Sequence, residues 1–322
     1  MPPSSTQWTE NDMPRLDGRV ALVTGANTGL GFATALGLAR GGAHVVLACR
    51  NESRGRDAQQ EIEKLLEDEP STPRGSAEFM LLDVGSLESI RAFAKSFQTK
   101  VDRLDILVLN AGVKAVAFDT TVDGFEQQMG VNHLGHFALA ALLFPLLKRN
   151  DRARVVSISS VSHRGATLDV ASLNAAPPQY EAMMAYRVSK LANLLFAYEL
   201  QRRLEAQGIT NVVSVACHPG VTESNLLLNL MGTYSNPIAR AVLRFVHWLP
   251  WAQTNAMGAL NVLCAATDPS VQAGEYIGPH GLLEFYGYPR STTSSEESYS
   301  EKDAAELWTA SEKLTGVAFQ VK

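Results

Sequence analysis

A short apolar run leads directly into a glycine-rich segment in the stretch Val20-Ala21-Leu22-Val23-Thr24-Gly25-Ala26-Asn27-Thr28-Gly29-Leu30-Gly31. The apolar run, residues 20–23, predicts a buried strand, and a helix is predicted to start at once, at Leu30 or Gly31, and to reach Arg40. Glycines at such a turn let the backbone approach a ligand closely, and the free N–H groups of a helix start attract a phosphate. A tight turn that is merely rich in glycine is the alternative, but the order of strand, turn and helix favours a phosphate site.

Apolar strands and helical runs alternate over most of the chain. Further strands are predicted at residues 44–49, 78–82, 104–109, 154–160, 212–217 and 275–277. Further helices are predicted at residues 53–69, 86–100, 124–149, 183–207, 255–266 and 304–314. This alternation predicts one α/β domain with a doubly wound parallel sheet of about seven strands. The predicted boundaries are an extension at 1–18, the domain at 19–290 and a tail with a closing helix at 291–322.

Composition and charge narrow the classes of function. The chain has 322 residues, of which 46% are hydrophobic and 19% are charged, an ordinary globular composition with enough apolar residues for a large core. The net charge is -5 and no basic block is present, which argues against a nucleic-acid partner. No cluster of residues at metal-ligand spacing appears, so no metal is expected.

The cellular location is predicted from what the sequence does not contain. Residues 1–15 are polar and have no apolar core of a signal peptide. No window supplies the ~18 uninterrupted apolar residues of a membrane span. Three cysteines, Cys49, Cys217 and Cys264, show no CxxC pairing and indicate reduced thiols. These observations predict a cytoplasmic protein without a transmembrane segment.

The carboxyl ends of the second and third strands carry candidate residues for an adenosine site. The second strand ends at Arg50-Asn51, and no acidic residue occurs before Glu52. An acidic residue at this point binds the ribose hydroxyls of NAD, whereas an arginine can hold the 2′-phosphate of NADP. The sequence therefore favours NADP(H) over NAD(H), although a solvent-facing arginine is the simpler alternative. Asp83 follows the third strand and could bond an adenine amino group, or equally cap a turn.

A tyrosine and a lysine stand four residues apart, at Tyr186 and Lys190, within the predicted helix 183–207. This spacing places both side chains on one face of a helix. A free phenol has a pKa of ~10, and a nearby ammonium should move it towards neutrality, where it can exchange protons. Alone, the pattern is often an accident of helices. Asn132 supports a functional site, because asparagine is a poor helix former and a buried amide in mid-helix needs hydrogen-bond partners. The neighbouring His133 and His136 are interpreted as structural, since no carboxylate or cysteine stands at metal-ligand spacing from them.

Taken together, these motifs resemble the short-chain dehydrogenase/reductase (SDR) family, which has a Rossmann-type fold. The resemblance covers about residues 19 to 277 and includes TGxxxGxG at 24–31, NAG at 110–112, Asn132, a serine after the fifth strand, YxxxK at 186–190 and Pro-Gly at 219–220. The segments VNHLGHF, SKLAN and HPGV resemble the retinol-dehydrogenase-like branch. Two departures are the leucine at 109, where the family usually has asparagine, and a long loop between 160 and 186.

The resemblance implies catalytic roles. Tyr186 would be the general acid in carbonyl reduction and the base in alcohol oxidation, and Lys190 would lower its pKa and bond the nicotinamide ribose. Ser160 would hydrogen-bond the substrate oxygen, with Ser159 as the second candidate. Asn132 would hold a water that links Lys190 to solvent. The implied cofactor-binding residues are Gly25, Asn27, Thr28, Gly29, Leu30, Gly31, Arg50, Asn51, Asp83, Val84, Asn110, Ala111, Gly112, Tyr186, Lys190, Pro219, Gly220 and Val221.

The insertion after the sixth strand, residues 221–256, contains two apolar stretches at 226–231 and 241–251. In this fold the segment closes over the substrate, so an apolar lid implies a lipophilic substrate. A dimer contact, a membrane-surface patch assisted by Arg240 and Arg244, and plain packing against the sheet are the alternatives.

The function implied by the resemblance is NADP(H)-dependent interconversion of a carbonyl and an alcohol on a lipophilic small molecule. A reductase of carbon–carbon double bonds is one alternative. A catalytically silent dinucleotide-sensing or scaffold protein is another. Family habit also implies a homodimer or homotetramer.

Overall fold

One mixed sheet of eight strands forms the centre of the protein, whose computed structural model describes residues 7–69, 74–173, 180–222 and 253–322. The strands are β1 (Val20–Thr24), β2 (His44–Cys49), β3 (Ser76–Leu81), β4 (Ile106–Leu109), β5 (Ala153–Ile158), β6 (Val212–Cys217), β7 (Tyr276–Pro279) and β8 (Pro289–Thr292). Their order is β3-β2-β1-β4-β5-β6-β7-β8, and every pair is parallel except β7 with β8. The chain therefore switches sides of the sheet between β1 and β4, where open α/β sheets bind ligands.

Helices cover both faces of the sheet. They are α1 (Gly29–Arg40), α2 (Glu52–Glu67), α3 (Leu87–Lys100), α4 (Gln127–Leu147), α5 (Ala182–Ala206), α6 (Asn255–Thr267) and α7 (Glu301–Thr315). Side chains of α1, α2 and α6 form the core on one face, and those of α3, α4, α5 and α7 form the core on the other. All residues of β4 and β5 are buried, as a sheet covered on both sides requires. The predicted doubly wound α/β domain is confirmed.

The ends of several strands differ from the predicted ones by one or two residues, and two differences change the sheet itself or the position of site residues. The eighth strand, β8, was not predicted, because its residues Pro-Arg-Ser-Thr have no apolar pattern and the strand exists only through antiparallel pairing with β7. The fifth strand ends at Ile158 instead of Ser160. Ser159 and Ser160 therefore leave the sheet at its carboxyl edge.

The predicted helix 124–149 is shorter and irregular. It starts at Gln127 because the Glu126 carboxylate accepts hydrogen bonds from the N–H groups of Gln128 and Met129. Its second turn, Gly130–Leu134, is a π-helix, which is rare and occurs often at functional sites. Asn132 lies in this turn.

The helix α4 is also the one described helix whose length and composition would allow a membrane span. However, 83% of its most apolar window is buried inside the protein. The central helix of a globular core has the same properties, so this feature is weak evidence for a membrane span.

An aromatic cluster joins the C-terminal segment to the core beneath α4 and α5. The Trp308 ring of α7 lies 5.1 Å from Phe137, 5.9 Å from Phe196 and 4.9 Å from Phe319, measured between ring centroids. The guanidinium of Arg203 covers the indole at 4.3 Å. The predicted closing helix thus packs on the domain. The predicted domain boundaries stay a prediction, and the apolar stretches 226–231 and 241–251 lie outside the described residues.

Truncation of Trp308 to alanine should lower the free energy of unfolding by about 3–5 kcal/mol, because a fully packed aromatic side chain is replaced by a cavity. Urea denaturation followed by far-UV circular dichroism measures this change. Glu306→Ala, an exposed change on the same helix, is the control and should alter stability by less than about 0.5 kcal/mol. Equal effects of the two changes would show that α7 does not stabilise the core.

Candidate active site

A cleft of about 490 Å³ opens at the carboxyl edge of the sheet. It extends from the start of α1, across the ends of β1, β2, β3 and β4, to the residues after β5 and β6. Every predicted site residue except Asn132 lines this cleft. Within the described ranges, no three His, Cys, Asp or Glu side chains gather as metal ligands would.

The start of α1 forms a phosphate-type site. Thr28, Gly29, Leu30 and Gly31 line the cleft where the helix begins, so its first N–H groups are available to an anion. Glycine at 31 is required by packing, because a Cβ there would lie 2.4 Å from the carbonyl oxygen of Gly25. The turn and the start of the helix therefore lie in close contact.

A hydroxyl group fixes the carboxyl ends of β1 and β4 to each other. Thr24 Oγ1 accepts hydrogen bonds from the backbone N–H groups of Asn110, at 2.8 Å, and Ala111, at 2.9 Å. The Asn110 side-chain amide donates in return to the carbonyl oxygen of Thr24, at 2.7 Å. His136 Nε2 lies 2.9 Å from the same hydroxyl. Asn110 therefore holds the cleft together as well as lining it.

The adenosine end of the cleft contains two arginines, Arg50 and Arg54. Arg50 is exposed and directly follows β2, and its predicted role towards a 2′-phosphate stays a prediction. Asn51 is the N-cap of α2, and its side chain accepts the N–H of Arg54 at 2.9 Å. Arg54 was not predicted as a site residue, although it lies in the first turn of the helix that follows Arg50, close to the same end of the cleft.

The Asp83 carboxylate also lines the cleft. Its Oδ1 accepts the N–H of Gly85 at 2.9 Å, so the turn-forming role left open from the sequence is present. The role towards adenine stays a prediction.

Helix α5 places Tyr186 and Lys190 one turn apart in the inner part of the cleft, with 8% and 5% of their surface exposed. The Ser160 side chain lies beside the Tyr186 phenol, near enough to lower its pKa, and both residues line the cleft. Lys190 Nζ donates to the carbonyl oxygen of Ile158 at 3.0 Å and lies 5.7 Å from the centre of the Tyr186 ring. Phenol, hydroxyl and ammonium therefore lie in the same part of the cleft.

The protonation of these groups differs from the sequence-based expectation. Burial raises the pKa of Tyr186 to about 12, against a smaller lowering by the Ser160 hydrogen bond. The expected lowering by Lys190 is not seen, because the ammonium points to the Ile158 carbonyl and burial dominates. Burial, and next the charge of Lys114, lower the pKa of Lys190 to about 8. The phenol is therefore protonated at neutral pH.

The two serines after β5 point in different directions. Ser159 Oγ donates to the backbone carbonyl of Lys190 at 2.8 Å and is buried. Ser160 Oγ accepts the N–H of Ser162 at 3.2 Å and contacts the Tyr186 phenol. The geometry therefore favours Ser160 as the hydroxyl group that faces a substrate oxygen, and this role stays a prediction.

Asn132 does not line the cleft but lies directly behind it, fully buried. Its Oδ1 accepts the N–H of Val113 at 2.8 Å, and its Nδ2 donates to the carbonyl of Val113 and to Ser189 Oγ, both at 2.9 Å. These bonds explain the asparagine in mid-helix, because its side chain fixes the segment after β4. The predicted water bridge to Lys190 stays a prediction.

The predicted nicotinamide segment, Pro219 to Val221, follows β6 and lines the cleft. The N–H of Val221 donates to the carbonyl of Phe285, and its carbonyl accepts the N–H of Gln253, both at 2.8 Å. Since both backbone groups of Val221 are already bonded, this residue contributes shape to the cleft in the described geometry. A carboxamide contact from the segment stays a prediction.

Lys114 is a further cleft residue that the sequence analysis missed. Lys114 belongs to the loop that follows β4, and its Nζ lies 5.3 Å from the centre of the Tyr186 ring. Its position two residues after the Asn-Ala-Gly segment was a signal, since loops at the carboxyl ends of strands line such clefts.

Comparisons with known proteins agree with this geometry. A family model described as short chain dehydrogenase matches residues 19–233. Retinol dehydrogenase 14 of Mus musculus is 35% identical over 320 residues, which cover 98% of this chain and 91% of that protein.

Two solved structures share the fold. An uncharacterized protein from Mycobacterium Paratuberculosis is 36% identical, with a TM-score of 0.76, and the match covers 98% of this chain and 100% of that one. RhlG of Pseudomonas aeruginosa, solved as an active-site complex with NADP, is 25% identical, with a TM-score of 0.61, over 81% of this chain and 94% of that one. The chain therefore belongs to the short-chain dehydrogenase family, in its retinol-dehydrogenase-like branch, and is an oxidoreductase of alcohol and carbonyl groups.

Proposed function

We propose that this protein is an NADP(H)-dependent oxidoreductase that interconverts a carbonyl and an alcohol on a lipophilic small molecule, with Tyr186 as general acid and base. The observation that carries the proposal is the convergence of the Tyr186 phenol, the Ser160 hydroxyl and the Lys190 ammonium in the cleft that begins at the N-terminus of α1. Two hydroxyl groups can then serve one substrate oxygen.

The chain's own residues handle the proton. The start of α1 together with Arg50 and Arg54 would hold a dinucleotide, whose reduced nicotinamide would supply the hydride. Tyr186 donates its phenolic proton to the carbonyl oxygen as negative charge develops there, and Ser160 donates a second hydrogen bond to the same oxygen. Lys190 Nζ donates to the carbonyl oxygen of Ile158 and so holds the segment that carries Ser160 beside the phenol.

The protonated state of Tyr186 at neutral pH is the state that the proposed reduction step requires. Because burial raises the phenol pKa to about 12, the proton needed for reduction is already in place. Oxidation requires the phenolate, which is scarce at this pH.

The choice of NADP(H) over NAD(H) rests on Arg50 and Arg54 at the adenosine end of the cleft. Two guanidinium groups can bind a 2′-phosphate through charge-assisted hydrogen bonds, and an acidic residue would repel it. The NADP complex of RhlG supports the same choice by similarity.

A lipophilic substrate is supported by the apolar insertion of the sequence and by the name of the retinol dehydrogenase relative. In the described part of the chain, Leu282 and Leu283 are exposed next to Phe285, whose carbonyl holds Val221 at the cleft. The predicted cytoplasmic location and homo-oligomeric state stay predictions.

Replacement of Tyr186 by phenylalanine should lower kcat for carbonyl reduction by about 10²–10⁴-fold, because the proton donor is lost. NADPH absorbance at 340 nm, with aliphatic, aromatic, retinoid and steroid carbonyls, measures the rate. Tyr198→Phe is the matched control, since Tyr198 is buried on the same helix and its hydroxyl bonds Ser294 at 2.8 Å. An unchanged rate in Tyr186→Phe would contradict the proposed mechanism. A product in which a carbon–carbon double bond, and not the carbonyl, has been reduced would contradict the proposed reaction.

Alcohol oxidation should accelerate by about tenfold per pH unit between pH 6 and 8, because the phenolate fraction rises by that factor below a pKa of about 12. Carbonyl reduction should vary by less than about threefold over the same range, since the phenol stays protonated and Lys190 begins to lose its proton only near pH 8. Initial rates in both directions measure the two profiles. A flat oxidation profile would indicate a phenol that is already ionised.

Replacement of both Arg50 and Arg54 by alanine should weaken NADPH binding by about tenfold or more and leave NADH binding within about twofold. Fluorescence titration of the reduced cofactors gives both dissociation constants. Arg56→Ala is the control, because Arg56 is on the same helix but pairs with Glu52 at 2.7 Å and lies outside the cleft. Equal losses for both cofactors would mean that these arginines do not read the 2′-phosphate.

A further inference from the structure

The loop after β4 holds one lysine, Lys114, between two residues that are fixed by buried amides of α4. On one side, the Asn132 amide bonds both the N–H and the carbonyl of Val113. On the other side, the N–H of Ala115 donates to Gln128 Oε1 at 2.7 Å. Gln128 and Asn132 are both fully buried. The backbone of Lys114 is therefore anchored at its two ends.

The conformation of this loop is also unfavourable for its sequence. Ala115 has a φ of +50°, in the left-handed region that residues with a Cβ seldom adopt. In the described ranges only two other non-glycine residues, Leu283 and Glu284, share this property. Such strain persists only where surrounding contacts enforce it, and it concentrates at functional sites. The fold therefore maintains the position of Lys114 at a cost.

The Lys114 ammonium lies inside the cleft beside the catalytic tyrosine. Its Nζ is 5.3 Å from the centre of the Tyr186 ring, and Lys190 Nζ is 5.7 Å from the same ring. No carboxylate pairs with Lys114 in the part of the chain that the structure describes, and burial lowers its pKa. The charge of Lys114 also contributes, after burial, to the lowered pKa of Lys190. Two like charges next to the reacting position would be relieved by an anion.

We propose that Lys114 binds an anionic group of the carbonyl substrate, such as a carboxylate, close to the carbon that accepts the hydride. The inference rests on the proposed function and narrows its substrate class to oxo carboxylates that carry an apolar chain. Lys114 then orients the carbonyl towards Tyr186 and Ser160.

A phosphate of the cofactor is the other source of an anion for this lysine. The N-terminus of α1, with Arg50 and Arg54, already provides donors for cofactor phosphates elsewhere in the cleft. Lys114 is instead at the tyrosine, where the substrate must be during the reaction. The substrate is therefore the favoured partner.

The experiment compares two substrates that differ only in charge, a medium-chain 2-oxo carboxylate and its methyl ester. NADPH consumption at 340 nm gives kcat/KM for both in the wild type, Lys114→Met, Lys114→Arg and Lys95→Met. Lys95 is an exposed lysine on α3 and serves as the control. Fluorescence titration gives the NADPH dissociation constant of each protein.

The ratio of kcat/KM for the carboxylate over the ester should fall by at least about tenfold in Lys114→Met, since one charge-assisted hydrogen bond is lost. Lys114→Arg should recover most of this ratio, because the charge is kept. Lys95→Met should match the wild type. The NADPH dissociation constant should stay within about twofold in all four proteins.

Three results would overturn the inference and leave the proposed function intact. In the first, the ratio in Lys114→Met equals that of the wild type. In the second, both substrates slow equally, which would assign Lys114 to the chemical step. In the third, NADPH binding weakens in Lys114→Met, which would assign it to a cofactor phosphate. A wild type that consumes NADPH with neither these substrates nor the wider carbonyl panel removes the proposed function, and the inference with it.

Discussion

The hydrogen bonds of the Thr24 hydroxyl hold together the two strands on which the active site depends. The order of the strands reverses between β1 and β4. The connections that follow these two strands therefore run to opposite sides of the sheet, and the cleft lies between them. Thr24 closes the base of this gap by accepting two N–H groups from Asn110 and Ala111, and it contacts His136 of α4. Because one buried side chain of β1 accepts two bonds from the segment after β4 and contacts the central helix, the glycine turn, that segment and the helix take fixed positions relative to each other.

Helix α4 supports the site from behind. Its π turn and the turn before it direct two amides, Gln128 and Asn132, at the loop after β4. A buried amide must find partners, and here the partners are backbone groups that have no strand or helix to bond them. The irregularity of this helix is therefore connected to the rigidity of the loop that carries Lys114. Helix geometry, loop strain and the position of a cation in the cleft form one physical arrangement.

Burial sets the protonation of the reacting groups. A phenol removed from water keeps its proton, and an ammonium removed from water loses its own more easily, so Tyr186 and Lys190 shift in opposite directions. A protonated phenol beside a hydroxyl is suited to donate to a carbonyl oxygen. The charge of Lys114 lowers the pKa of Lys190 further. It also adds a second cation beside Tyr186, which the sequence motifs did not predict.

The sequence by itself determined the alternation of strands and helices, the site of the glycine turn and, through its family resemblance, about two thirds of the residues that line the cleft. These are local signals, since apolar periodicity, glycine and the Tyr186–Lys190 spacing act over a few residues. Only the tertiary structure decided the pairing of β8, the π turn of α4, the side on which Ser159 and Ser160 point and the approach of Lys114 to Tyr186. The pKa of the phenol belongs to the same group, because burial depends on packing between segments that are far apart in the chain.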